Sequence, residues 1–74
     1  MKERYAILLV PSISHATRAE GVLKAHGLRC KLIPVPREVS SDCGVCVRVA
    51  RSDCARATQL LAEAGVTVTS RHDI

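Results

Sequence analysis

Three observations in the sequence predict an α+β sandwich. The apolar residues fall into four short strand-like runs, two helical stripes sit between them in the order β-α-β-β-α-β, and a glycine closes each stripe. The first run spans residues 4–10; it is short, apolar and ended by Pro11, which fits a buried strand. Ser12 and Ser14 are candidate N-caps for a helix over residues 15–26, whose stripe is Ala16, Ala19, Val22 and Leu23 and whose C′ residue is Gly27. Over residues 28–34, Leu28, Cys30 and Leu32 alternate with Arg29, Lys31 and Ile33, the period of a half-buried strand, and Pro34 and Pro36 stop it. Residues 37–42 are polar and turn-prone. Val45, Val47 and Val49 then alternate with Cys46, Arg48 and Ala50 as a third strand.

Ser52 or Asp53 is placed to cap a second helix with the stripe Cys54, Ala57, Leu61 and Ala64, ended by Gly65, and the alternation of residues 66–69 predicts the last strand. Two strand-helix-strand halves with right-handed crossovers make a ferredoxin-like βαββαβ two-layer sandwich: an antiparallel four-stranded sheet, both helices on one face and the other face open. Gly21 inside the first helix costs up to ~1 kcal/mol against Ala, so close packing on the sheet is its expected reason.

Length bounds the rest. Residues 1–74 make one domain with a small core. With 47% hydrophobic and 24% charged residues the chain is not a disordered linker, and no apolar run reaches the ~18 residues that span a bilayer. Residues 1–11 carry no secretory h-region with a cleavage site, so the expected location is the cytoplasm, where the four cysteines stay thiols. A single Tyr with no Phe or Trp leaves at most Tyr5 as a platform for stacking bases, so nucleic acid is not an expected partner despite a net charge of +4. A core without large aromatics and an open face carrying Ile33 make a homodimer an expectation, because association would bury more apolar surface.

Cysteines carry the strongest chemical signal. Cys30 and Cys54 lie on apolar faces and are expected to be core thiols. Cys43 and Cys46 form a C-x-x-C where a polar loop meets the third strand. Cys43, flanked by Asp42 and Gly44, is expected to be exposed and the most reactive, with Cys46 next. Gly44 frees backbone N–H groups to face a thiolate; Arg37 and Arg48 would favour it and Asp42 would oppose it. A dithiol redox pair with Cys46 as resolving thiol is one alternative, but extended residues three apart lie ~10 Å from each other, beyond disulfide reach without a turn. An incidental pair of thiols is another, and a zinc site is a third. With one C-x-x-C and scattered His15, His26 and His72, no metal is expected. Nothing calls for a cofactor: there is no phosphate-cradling glycine loop and no carboxylate pair. Ser12, Ser14 and His15 read as caps before they read as a nucleophile and base, Glu20 and Lys24 as a helix-surface pair, and His26 and His72 as surface residues.

The stretches from Ser14 to Gly27 (Ala, Glu20, Leu-Lys24) and from Ile33 to Gly44 (Pro-Val-Pro-Arg37-Glu-Val-Ser40-Ser-Asp-Cys43-Gly44) resemble the selenium/sulfur carrier protein-like family of small bacterial proteins. The resemblance covers nearly the whole chain, and the segment from Pro34 to Gly44 is its most specific part. It implies that Cys43 is the carrier thiol and that Arg37, Ser40 and Gly44 shape its pocket. The implied partners are a sulfur or selenium donor protein, such as a cysteine desulfurase, and an acceptor protein of unknown identity. Such a carrier is not a conventional enzyme. The alternative from another class is a binding or regulatory module acting through the sheet face, made basic by Arg29, Lys31 and Arg48.

Overall fold

A computed structural model describes residues 4–37, 39 and 44–74. The elements run β1 (Tyr5–Leu9), α1 (Ile13–Ala25), β2 (Cys30–Pro34), β3 (Val45–Ala50), a 3₁₀ turn (Arg51–Asp53), α2 (Cys54–Glu63) and β4 (Ser70–Asp73). The strands form one sheet in the order β2-β3-β1-β4, with every neighbouring pair antiparallel. Strand β3 therefore separates β1 from β2, and β1 separates β3 from β4. This is the ferredoxin-like α+β arrangement that the element order predicts.

Local chemistry explains the helices. Ser12 has an extended backbone, and its side chain accepts a hydrogen bond from the His15 backbone N–H, so α1 begins two residues before the expected start. At its end, Gly27 (φ +77°) donates its N–H to the Lys24 carbonyl and Leu28 donates to the Leu23 carbonyl, at 3.0 and 2.9 Å. This is a Schellman closure, with Leu23 and Leu28 meeting in the core. The end of α2 repeats it: Gly65 donates to Ala62 and Val66 donates to Leu61, at 3.1 and 2.9 Å. The two glycines are needed for the left-handed backbone, because a Cβ added at either meets nothing within 4 Å. Asp53 occupies the cap position of α2, but its side chain makes no capping bond there.

The main core lies between the sheet and both helices. Ala6, Leu8 and Val10 of the β1 region and Val47 and Val49 of β3 meet Ala16, Ala19 and Leu23 of α1 and Cys54, Ala57 and Leu61 of α2. Alanines on both helices let them approach the sheet closely, which is how a core without Phe or Trp is filled. The outer face holds a second cluster, Ile7, Leu9 and Cys46, against which Ile33, Val35 and Val39 pack. The outer face is thus half covered rather than open: the chain leaving β2 folds back over it.

Two further expectations change. Residues 66–69 are not the last strand. Val66 is taken by the α2 closure and Val66 and Val68 pack on the core, while Thr69 donates its backbone N–H to the Leu9 carbonyl at 2.8 Å and starts the real β4, Ser70–Asp73. Gly21 is not a close-packing position: it is exposed, and a Cβ built there meets nothing within 4 Å.

Candidate functional site

Pro34 pairs with Val45 at the end of the β2–β3 ladder, and Val35 extends it by donating its N–H to the Gly44 carbonyl at 3.1 Å. Beyond Val35 the chain turns. Val39 donates its N–H to the Pro36 carbonyl at 3.0 Å, closing a turn that carries exposed Arg37. Val35 and Val39 flank that turn and press on the outer cluster, so the connection is anchored by apolar contact rather than hung from the sheet. Gly44 is exposed, has φ +77° and has open space where a Cβ would sit, so backbone conformation alone requires glycine there. Cys43 and Ser40, the expected carrier thiol and its neighbour, lie outside the described residues.

The other cysteines are sorted by the sheet. Cys46 stands opposite Ile33 and Leu9 on the outer face and is completely buried. It therefore does not follow Cys43 in accessibility, as the sequence suggests, because Val35 and Val39 pack on the cluster that contains it. Cys54 is completely buried in the main core, as expected. Cys30 only borders that core. It is half-buried on β2, an edge strand, and its thiol donates to the Glu20 carbonyl oxygen at 3.7 Å. Burial first, and then the Glu20 carboxylate, push the Cys30 thiol pKa up, while Lys24 pulls the other way. Cys30 and Cys46 face opposite sides of the sheet.

The basic residues separate in the same way. Arg37 stays with the hairpin turn. Arg48 sits four residues along β3 from Gly44, about 13 Å at the usual strand rise, and its guanidinium lies 4.2 Å over the centre of the Tyr5 ring. That stacking commits it to the opposite end of the strand, whereas Arg37 lies on the turn that follows β2. Lys31 stands directly opposite Arg48.

Elsewhere the structure favours the plain readings. The Ser12 hydroxyl lies 2.6 Å from His15 Nδ1 while accepting from the His15 N–H, an arrangement local to the helix cap. Glu20 and Lys24 pair across one helix turn at 3.6 Å. His26 is the exposed C-cap of α1, and His72 Nε2 lies 3.2 Å from the Ser70 hydroxyl. A cleft of about 370 Å³ between α2 and residues 66–68 is lined by Thr58, Ala62 and Val68 among others, with no cation or thiol among the described lining residues.

Sequence reasoning missed the roles of Val35 and Val39. The available signal was apolar residues at positions 33, 35 and 39 interrupting a stretch of Pro and polar residues.

The family model described as "Putative Se/S carrier protein-like" matches residues 5–73, from the first residue of β1 to the last of β4. The chain belongs to this family. The match contains the whole β2–β3 hairpin, including Arg37, Ser40, Cys43 and Gly44. No curated protein and no solved structure gives a significant match. No helix among the described residues is long and apolar enough to cross a membrane.

Proposed function

We propose that the protein carries sulfur or selenium as a persulfide-type adduct on Cys43 and passes it between partner proteins. Membership of the Se/S carrier protein-like family, over a span that includes the Cys43-Gly44 hairpin, is the observation that carries this reading. The burial of Cys46 and Cys54 supports it by removing two of the other three thiols from contact with a partner.

In the loading step the Cys43 thiolate attacks the outer sulfur of a persulfide on the donor, for which a cysteine desulfurase is the proposed class. One S–S bond forms on Cys43, the donor's S–S bond breaks, and the donor cysteine leaves as a thiolate, so no external oxidant or reductant is consumed. Delivery to the acceptor repeats the exchange in reverse. Arg37 would favour the attacking thiolate by its charge, and Ser40 and the Gly44 backbone would hydrogen-bond the sulfur. Cys46 would discharge the sulfur only if the hairpin opened. The carrier works in the cytoplasm in this reading and needs no second copy of the chain; homodimerisation through the sheet face is a separate proposal.

Incubation with a cysteine desulfurase and cysteine is expected to add the mass of one sulfur to Cys43, removable by reductant. The Cys43→Ser variant should not load and Cys46→Ser should. Equal loading of wild type and Cys43→Ser would overturn the reading.

A further inference from the structure

At the end of the sheet away from Gly44, where β2 begins and β3 ends, a cleft of about 320 Å³ is lined by Tyr5, Arg29, Cys30, Lys31, Arg48 and Asp53, with Val49 and Ala50 behind them. We infer that this cleft binds a small molecule through a phosphate-like oxyanion held between Lys31, Arg48 and Arg29. The inference does not depend on the carrier reading.

Four observations support it. Lys31 and Arg48 are direct cross-strand partners on one face, a placement in which like charges destabilise a sheet. Among the described residues neither forms an ion pair, and neither does Arg29, so nothing there relieves the repulsion. An oxyanion between them would relieve it. The Arg48 guanidinium is already laid on the Tyr5 ring at 4.2 Å, which limits its freedom before any ligand arrives and lowers the ordering cost of binding. Finally, the site is concave and of small-ligand size, at the lower end of the ~300–1,000 Å³ range of ligand pockets. Among the described lining residues Asp53 is the one carboxylate; three cations against it make that part of the wall positive and direct an anion to the Lys31–Arg48 side. Tyr5 offers apolar surface to the uncharged part of a ligand.

Pyrophosphate titrated into ¹⁵N-labelled protein, at ionic strength held constant with sodium chloride, tests this. Saturable shifts are expected at the amides of Arg29, Lys31 and Arg48. Lys31→Gln and Arg29→Gln, both at exposed positions, should each weaken binding roughly tenfold, the scale of one lost charged hydrogen bond. Arg18→Gln, whose side chain lies at the Ala64 end of α2, away from Asp53, should not. Shifts that chloride alone reproduces, or unchanged affinity in both variants, would overturn the inference. So would an Asp/Glu-rich peptide that saturates these amides where pyrophosphate does not, an outcome that assigns the surface to protein docking.

Discussion

Replacing Gly21 by Ala should make the protein more stable, and replacing Gly27 by Ala should make it less so, although both sites have the same empty space around an added Cβ. Gly21 lies inside α1 with ordinary helical backbone and is exposed, so the substitution gains no burial and meets no clash. What remains is backbone entropy and helix propensity, together about 0.8–1 kcal/mol in favour of Ala. Gly27 has φ +77°, where an L-residue costs about 1–2 kcal/mol. For a domain this small, 1 kcal/mol moves Tm by about 4–8 °C. Thermal unfolding followed by circular dichroism should place Gly21→Ala above wild type by about that much and Gly27→Ala below it by as much or more. Urea titrations should show the midpoint shifting at constant slope, the sign that stability has changed while the surface exposed on unfolding has not. A Gly21→Ala variant that melts at or below the wild-type temperature would refute the reasoning, because it would mean that the exposed face of α1 is not free in solution.

Cys30 should be alkylated in the native protein well before Cys46 and Cys54, yet more slowly at neutral pH than in the unfolded chain, because its raised pKa keeps it a thiol; its rate should climb further into the alkaline range than that of the unfolded protein, and peptide mapping across a pH series reads both effects. Ser12→Ala should cost about 1 kcal/mol by removing the bond to the His15 N–H, and chemical denaturation showing no loss would return the Ser12–His15 pair to consideration as more than a cap.

The first three strands and both helices were legible because each carries its own periodicity and each helix its own glycine stop. Strand β4 was not. Ser70, Arg71, His72 and Asp73 have little strand propensity, and they pair because β1 presents an unpaired edge to the chain arriving from α2; the alternating Val66–Thr69 segment holds the pattern but spends its valines on the core. The cysteines were misjudged for a related reason. Periodicity assigned Cys30 and Cys46 to the correct, opposite faces, but it does not say which face is covered or which strand is an edge. Strand order leaves Cys30 at the rim, and Val35 and Val39, 11 and 7 residues before Cys46 in the sequence, help bury Cys46. Arg48 shows the same limit: its partner Tyr5 lies 43 residues away in the sequence, so only the sheet register reveals that its charge belongs to the far end of β3.

That register gives the molecule two chemically different ends joined by one strand. From Gly44 to Ala50 is six residues, about 20 Å of extended chain. At one end lie Gly44 and the turn that carries Arg37; at the other, Lys31 and Arg48 face the cleft. At physiological ionic strength charges on exposed groups are screened over about 8 Å, so the cations of the cleft exert little direct influence on groups beside Gly44. On the two proposals taken together, substitutions at Lys31 should leave sulfur loading intact and substitution of Cys43 should leave anion binding intact. Coupling between the two, if measured, would have to pass through β3 itself, whose Val47 and Val49 are locked in the main core.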